Sequence, residues 1–163
     1  MRKIRSALIS LSDKSNLKPL LQELRRNNIN LISSGGTFKA IRKLKFKCTE
    51  ISEFTGFKEI LDGRVKTLHP KIYAGILNKR GNKTHSNEIK NLKFKNIDLV
   101  IVNFYPFEKT LEITKNKDQI IENIDIGGPA LVRAAAKNFN DVTVISSSKQ
   151  YLELIDQLKN NGG

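Results

Sequence analysis

Short apolar runs alternate along the chain with segments whose apolar residues recur at helical spacing. The apolar run 4–11 is followed by a polar turn at 12–15 and by four leucines at helical spacing that end at Leu24, which predicts a strand, a turn and a helix. The unit repeats as an apolar run at 29–32 and a helical pattern at 38–44. Strands that alternate with helices of this length predict a parallel sheet in an α/β fold.

The second half of the chain continues the alternation. Residues 97–102 form a nearly continuous apolar stretch, which predicts a strand buried on both faces. Residues 77–95 are polar and rich in Lys and Asn, which indicates a mobile or helical surface excursion. The remaining patterns predict a strand at 142–145 and helices at 118–123, 127–137 and 150–159.

The chain has 163 residues, which is the size of one domain, so residues 1–163 are expected to form a single unit. Its 29 Lys and Arg against 16 Asp and Glu give a formal net charge of +13. Such a charge predicts an anionic partner, and both nucleic acid and a small phosphorylated substrate fit that description. The alternative is that the positive charge has no binding role, because many of the lysines are scattered over predicted solvent-exposed faces.

The composition bounds the cellular setting and the chemistry. The apolar runs are far shorter than the ~18 residues of a membrane span, and no signal-peptide pattern follows the N-terminus. The sequence therefore predicts a cytoplasmic protein with no membrane partner. Cys48 is the single cysteine and cannot form an internal disulfide bond. With only two histidines, His69 and His85, no metal site is expected.

Polar clusters follow four of the predicted strands, at 10–14, 33–37, 103–107 and around Ser146. Because the carboxyl ends of parallel strands share one edge, where ligands bind in open α/β sheets, we expect these clusters to lie together. Taken singly, each cluster is also typical of a turn. Helix capping is the favoured interpretation for residues 12–13 and 146–148.

Residues 34–37 have the features of a phosphate-binding turn. Gly35 and Gly36 remove side chains from the turn, the following helix presents free N–H groups, and Ser34 and Thr37 add hydroxyl donors. The spacing differs from Walker and dinucleotide motifs, which indicates a phosphate monoester. Lys14 is positioned in the sequence to add charge.

Two further segments carry candidate chemistry. In the loop 63–70 an extended backbone would bring Arg64 and Lys66 to one side, although a solvated basic loop is the alternative. Asp125 precedes a predicted helix and is either its N-cap or the acid of an acid–base set with Lys66, Lys137, Arg64 and Tyr105. Cys48 has no base nearby in the sequence and is interpreted as structural.

Together these motifs resemble the IMP cyclohydrolase domain, the N-terminal part of the bifunctional AICAR transformylase/IMP cyclohydrolase family. The resemblance runs from residue 6 to about residue 151. Its marks are Ser12-Asp13-Lys14, Ser34-Gly35-Gly36-Thr37, Glu53-Phe54-Thr55-Gly56-Phe57, residues 63–70, Asn103-Phe104-Tyr105-Pro106-Phe107, Asp125-Ile126-Gly127-Gly128 and residues 133–138.

The resemblance implies a three-layer, methylglyoxal-synthase-like α/β fold with a parallel sheet. It also implies closure of 5-formamido-4-imidazolecarboxamide ribotide to inosine monophosphate with loss of water, with no metal or organic cofactor. The partners would be the phosphorylated purine precursor and inosine monophosphate.

The resemblance also assigns roles to particular residues. Lys66, Tyr105, Asp125 and Lys137 would be catalytic, and the general base among Lys66, Asp125 and Lys137 stays open. The substrate-binding residues would be Ser12, Lys14, Ser34, Gly35, Gly36 and Thr37 around the 5′-phosphate, with Arg64, Thr67, Asn103 and Gly127 elsewhere on the substrate.

The chain departs from the family in length, because family members continue into a longer transformylase domain. We therefore expect either a fragment cut at the linker or a stand-alone cyclohydrolase, without formyl transfer from a folate. A homodimer is the assembly that the resemblance implies, although family dimerisation relies largely on the half that is absent here.

Three alternative functions fit the sequence less well. A methylglyoxal-synthase-like lyase needs several carboxylates and a histidine near the phosphate, whereas these motifs offer chiefly Asp125. A non-catalytic effector-binding domain, as in carbamoyl-phosphate synthetase, would not need Lys66, Asp125 and Lys137. A nucleic-acid binder rests on net charge alone, because aromatic and basic residues do not alternate as a stacking surface requires, so no nucleic-acid partner is expected.

Overall fold

The computed structural model describes residues 3–161, and within them a single five-stranded sheet has the order β3-β2-β1-β4-β5. All four strand pairs are parallel, as the alternating pattern predicts. The strands are β1 (Ser6–Leu11), β2 (Asn30–Ser33), β3 (Thr49–Glu50), β4 (Leu99–Asn103) and β5 (Thr143–Ile145).

Nine α-helices and one short 3₁₀ helix connect and cover the described strands. The α-helices are α1 (Leu17–Arg26), α2 (Gly35–Lys43), α3 (Ile51–Thr55), α4 (Pro70–Leu77), α5 (Lys83–Asn91), α6 (Phe107–Ile113), α7 (Lys117–Glu122), α8 (Gly127–Lys137) and α9 (Tyr151–Asn161). The 3₁₀ helix, Ser148–Gln150, leads directly into α9, and the Ser147 side chain caps it.

Two apolar cores, one on each face of the sheet, make the molecule a three-layer structure. Alternate residues of β1 enter opposite cores, with Ala7, Ile9 and Leu11 on one face and Leu8 on the other. The first core is closed by α1, α2 and α9, and the second by α3, α4 and α8. Burial of both faces explains why β4 is apolar at every position except its last.

The helix α1 shows how the predicted pattern becomes structure. Its four leucines at helical spacing are all buried in the first core, and Arg25 and Arg26 occupy its last turn. Positive charge in that turn favours the negative end of the helix dipole. The helix ends at Asn27, and the next residue, Asn28, has a positive φ of 56°.

The order of the strands creates a crevice at one edge of the sheet. β1 pairs with β2 on one side and with β4 on the other, so the chain leaves β1 in one direction and later returns to its opposite side. Where the strand order reverses in this way, the loops that follow β1 and β4 diverge and open a crevice outside the carboxyl ends of these strands. The last pair of the β1–β4 ladder, Leu11 opposite Asn103, marks this point.

The segment between α4 and β4 is helical. Of the two alternatives predicted for residues 77–95, the helical one is confirmed, because α5 occupies Lys83–Asn91 and none of its residues is buried. The helix α4 is absent from the sequence prediction. Pro70 provides its first residue, and the His69 Nδ1 atom caps it by accepting a hydrogen bond from the Lys71 N–H at 3.1 Å.

Ile101 is expected to be critical for stability, because its side chain is fully enclosed in the first core. The substitution Ile101→Ala should lower the free energy of unfolding by about 2–5 kcal/mol through lost burial and the remaining cavity. The control Ile113→Ala makes the same chemical change at a side chain that is 84% exposed, and should change stability by less than about 0.5 kcal/mol. Urea unfolding followed by circular dichroism measures both, and equal losses would contradict the central position of β4.

Candidate functional site

A cleft of about 650 Å³ lies at the carboxyl edge of the sheet, where the crevice between β1 and β4 opens. The loops after β1, β2 and β4 contribute to it, together with residues 62–67 and the connection between α7 and α8. All the predicted site residues except Gly35 and Lys137 line it: Ser12, Lys14, Ser34, Gly36, Thr37, Arg64, Lys66, Thr67, Asn103, Tyr105, Asp125 and Gly127.

The start of α2 faces this cleft with unused polar groups. Ser34 is the N-cap residue in an extended conformation, and its side chain makes no capping hydrogen bond. Gly35 follows with a positive φ of 54°, a conformation that favours glycine. The first N–H groups of a helix have no partner within the helix, and they carry its partial positive charge.

Two lysine side chains lie beside this helix start. A Cβ atom built on Gly36 would lie 3.7 Å from Lys14 Cε and 3.8 Å from Lys14 Nζ, and one built on Gly35 would lie 3.6 Å from Lys66 Nζ. Within residues 3–161, Lys66 Nζ makes no hydrogen bond or ion pair. We call Lys14, Ser34, Gly35, Gly36 and Lys66 the anion seat, because a bound anion would neutralise the positive charges that meet there.

The loop after β1 is held from two sides. Asn103 Oδ1 accepts hydrogen bonds from the N–H groups of Ser12 at 2.6 Å and Asp13 at 2.9 Å, while Asn103 Nδ2 donates to the Asp13 carbonyl at 2.6 Å. On the other side, the Thr37 hydroxyl accepts from the Leu11 N–H at 2.9 Å and donates to the Leu11 carbonyl at 3.0 Å. Lys14 Nζ donates to the carbonyl groups of Leu11 and Ser12.

A second helix, α8, begins at the same cleft. Asp125 Oδ1 accepts a hydrogen bond of 2.8 Å from the Gly128 N–H in the first turn of α8. The N-cap residue itself is Ile126, so Asp125 binds the helix start from one position earlier than the N-cap interpretation states. Asp125 Oδ2 makes no hydrogen bond within the described residues and remains available to a ligand. Gly127 packs closely on Thr67, because a Cβ atom on Gly127 would lie 2.7 Å from Thr67 Oγ1.

Arg64 lines the cleft and forms an ion pair with Glu122, the last residue of α7. The hydrogen bond to Glu122 raises the pKa of Arg64, and the same bond lowers the pKa of the Glu122 carboxyl. The sequence analysis did not identify Glu122 as a residue of the cleft. Its place near the end of the helix predicted at 118–123, three residues before Asp125, could have indicated that it lies close to the site. Three exposed isoleucines, Ile121, Ile124 and Ile126, accompany it in the lining.

The structure does not bring Lys137 to the cleft. This lysine is the last residue of α8 and is exposed, whereas Gly127 at the start of that helix lines the cleft. Ten residues of helix separate them, a distance of ~15 Å along the axis. Lys137 and Asp125 therefore lie at opposite ends of α8 in this chain, and the catalytic role of Lys137 stays a prediction.

Cys48 is separate from the cleft lining. Its half-buried thiol donates a weak hydrogen bond to the Thr49 carbonyl at 3.6 Å. Burial raises the pKa of the Cys48 thiol to about 12, and the nearby Arg42 charge offsets this only in part. A thiol of this kind is not a nucleophile near neutral pH.

A larger cleft of about 980 Å³ lies at the opposite, amino edge of the sheet, beside β5 and α9. Arg80 is one of the cations that line it. Its guanidinium donates to the carbonyl groups of Ile76, Asn78 and Ile97 and pairs with Asp98, so it links the end of α4 to the segment before β4. Across residues 3–161 no group of three His, Cys, Asp or Glu side chains could hold a metal ion. No helix in the same range is long and apolar enough to cross a membrane.

Comparison with known proteins identifies the family. Residues 16–130 match the family model described as an MGS-like domain, which covers more than half of the chain. The chain therefore belongs to the MGS-like domain family. The parallel sheet with helices on both faces confirms the expected three-layer, methylglyoxal-synthase-like architecture.

The chain is also similar to part of several proteins named bifunctional purine biosynthesis protein PurH. It is 52% identical over 160 residues to the protein from Buchnera aphidicola subsp. Acyrthosiphon pisum (strain Tuc7), with 97% of this chain and 30% of that protein covered. For the protein from Acetivibrio thermocellus the identity is 48% over 158 residues, with 96% and 30% covered. The chain thus spans about 30% of the length of these relatives.

A solved structure gives the same fold. The crystal structure of ForH superposes on this chain with a TM-score of 0.85 at 30% sequence identity. The superposition covers 98% of this chain and 82% of that chain. The similarity of fold therefore extends over nearly the whole of this chain.

The close approach of Gly127 to Thr67 predicts an unusual effect of Gly127→Ala. Alanine normally stabilises a helix by about 0.5–1 kcal/mol relative to glycine, whereas here overpacking against Thr67 should destabilise the fold by about 1–3 kcal/mol. In a Thr67→Ala background the clash is absent, and the same change should become neutral or stabilising. Gly81→Ala is the control, since a Cβ atom there meets nothing within 4 Å. A Gly127→Ala loss of stability that persists without the Thr67 hydroxyl would contradict this contact.

Cys48 is expected to resist alkylation in the folded chain. At pH 8 a thiol with a pKa of about 12 is ionised on the order of a thousandfold less than a free cysteine. Iodoacetamide should therefore modify the native chain far more slowly than the chain in urea, and the native rate should rise with pH up to the onset of unfolding. Mass spectrometry follows both rates, and similar rates in the two conditions would contradict the buried environment of Cys48.

Proposed function

We propose that the chain is an IMP cyclohydrolase, which closes 5-formamido-4-imidazolecarboxamide ribotide to inosine monophosphate with loss of water. The observation that carries the proposal is the anion seat, where Lys14 and Lys66 lie at the start of α2, in the same cleft as Asp125. Lys66 makes no ion pair with any residue that the structure describes. Similarity to the purine biosynthesis protein PurH over nearly the whole chain supports the choice of substrate.

In this proposal the 5′-phosphate binds at the anion seat. The N–H groups of the first turn of α2 and the Ser34 hydroxyl donate hydrogen bonds to it, and Lys14 supplies charge. A phosphate monoester carries up to two negative charges, which the Lys14 ammonium and the positive end of α2 neutralise in part. The ribose and base then extend from the seat towards α8, where Thr67 and Asp125 line the cleft.

The reaction requires two groups of one molecule to meet. The carboxamide nitrogen attacks the formamide carbon and forms the new carbon–nitrogen bond, and the formyl oxygen leaves as water with one proton from each of the two nitrogens. An amide nitrogen is a weak nucleophile, so holding it against the formamide carbon contributes much of the rate. Anchoring the phosphate at one end of the cleft serves this purpose.

Other side chains of the cleft provide charge and proton transfer. Lys66, at the margin of the anion seat and next to Thr67 in the chain, stabilises the negative charge that develops on the formyl oxygen, whereas Lys14 serves the phosphate. The Oδ2 atom of Asp125 accepts the proton from the carboxamide nitrogen and passes it to the leaving oxygen, while the Tyr105 hydroxyl donates the second proton and regains one from the formamide nitrogen. Lys137, at the far end of α8, is assigned none of these steps.

The proposal is confined to ring closure. The match covers 30% of the relatives named PurH, which are about three times as long as this chain. Formyl transfer is not proposed for this chain. A single domain at residues 1–163, cytoplasmic and without a metal or organic cofactor, remains the working description. The homodimer implied by the resemblance remains a prediction of oligomeric state.

An ultraviolet assay of the purified chain with 5-formamido-4-imidazolecarboxamide ribotide tests the function. We expect saturable formation of the inosine monophosphate chromophore. Asp125→Asn removes the proton acceptor and should lower turnover by about 10²–10⁴-fold while substrate affinity changes little. Lys66→Met should lower turnover by about 10²-fold or more.

The charge-matched control is Lys43→Met, which removes an exposed lysine from the last turn of α2. It should leave turnover unchanged. Tight binding of inosine monophosphate without turnover would instead support the effector-binding alternative. Absence of both turnover and nucleotide binding by the wild-type chain would disprove the proposed function.

A further inference from the structure

Thr37 and Asn103 belong to motifs whose resemblance assigns them to substrate binding, yet most of their hydrogen-bonding capacity is already used. A threonine hydroxyl has one donor, and an asparagine carboxamide has two donors and two acceptor lone pairs. The single Thr37 donor is bound to the Leu11 carbonyl, so no proton remains for a phosphate oxygen. In Asn103 both acceptor positions and one of the two donors are bound to the backbone of residues 12–13.

These bonds act on the segment that orients Lys14. Two of the three donors of the Lys14 ammonium are bound to the carbonyl groups of Leu11 at 3.2 Å and Ser12 at 3.0 Å. Both carbonyl groups belong to the segment held by Thr37 and Asn103. The third donor is left for a ligand beside Gly36, and its direction depends on that backbone.

The two holding residues come from different elements of the fold. Thr37 lies in the first turn of α2, whose start forms part of the anion seat. Asn103 is the last residue of β4 and lies opposite Leu11 at the end of the β1–β4 ladder. The loop after β1 is therefore fixed both to the helix that offers N–H groups and to the neighbouring strand.

We propose that Thr37 and Asn103 are positioning residues, which hold the backbone of residues 11–13 so that the Lys14 ammonium lies against the first turn of α2. Neither side chain contacts the phosphate. This inference rests on the proposed function only in taking a phosphate monoester as the anion. The proposal predicts that Thr37 and Asn103 affect phosphate binding only through Lys14. Residues that contacted the phosphate directly would affect binding even without Lys14.

Calorimetric titration with inosine monophosphate and with inosine, which lacks the phosphate, provides the test. Thr37→Val and Asn103→Ala should each weaken inosine monophosphate binding about tenfold, the size of one lost hydrogen bond to a charged group, and leave inosine affinity unchanged. In a Lys14→Met background neither substitution should weaken inosine monophosphate binding further. The control Asn138→Ala removes another buried carboxamide that bridges backbone carbonyls, those of Ile76 and Asn78, and should leave both affinities unchanged.

Additive losses in the Lys14→Met background, or weaker inosine binding by Asn103→Ala, would show direct contact and overturn the proposal. Unchanged inosine monophosphate affinity in both variants would overturn it as well. Thermal unfolding and circular dichroism establish that each variant is folded before titration, and Thr37→Ser, which keeps the hydroxyl that bonds to Leu11, should retain inosine monophosphate affinity.

A second readout needs no ligand. Amide hydrogen exchange should be slow at Ser12 and Asp13 in the wild-type chain, and fast at both positions in Asn103→Ala, since Asn103 Oδ1 is their acceptor. Fast exchange in the wild-type chain would overturn the proposed holding of the loop. If the wild-type chain binds no phosphate compound, the proposed function fails, and the exchange rates still decide whether Asn103 holds the loop.

Discussion

The pairing of β1 with both β2 and β4 is the constraint on which the rest of the molecule depends. A strand with neighbours on both sides and a core on each face needs apolar residues on both faces, and β1 and β4 have them. Parallel pairing places the carboxyl ends of these strands at one edge, and helices that return the chain begin there. The starts of α2 and α8 both reach the same cleft for this reason.

Two of the positive charges in the cleft lie close to a third positive group, the N-terminus of α2, instead of being paired with carboxylates of the described residues. Among its lining residues, three cations face three carboxylates, yet one of these pairs is already formed by Arg64 and Glu122. Lys14 and Lys66 lie instead beside the positive end of α2, where each raises the electrostatic free energy of the other. The Leu11 and Ser12 carbonyl groups hold Lys14 in place, and an anion is the kind of ligand that lowers this free energy.

A long buried periodic face made an element predictable from the sequence, but the correspondence is incomplete, because α7 has no buried residue and was predicted, whereas α4 buries Ile72 and Ile76 and was not. The leucines of α1 and the apolar run of β4 enter the cores, and both were predicted. By contrast, β3 has only two residues, and α6 has no buried residue, so neither carries a period. The parallel-sheet rule grouped most of the site residues, but it could not show that Lys137 lies a full helix length from the cleft, or that Glu122 pairs with Arg64.

Sequence motifs also do not separate residues that contact a ligand from residues that shape the backbone around it. In this cleft the distinction follows from which polar atoms are already bonded. Within the described part of the chain, Ser34 and Lys66 have donors without a partner and Asp125 has one such oxygen, whereas the Thr37 donor is bound to the main chain. A rigid loop with few free donors costs less entropy to order when a ligand binds than a flexible loop with many. Bonds within the protein can therefore be as important for affinity as bonds to the ligand.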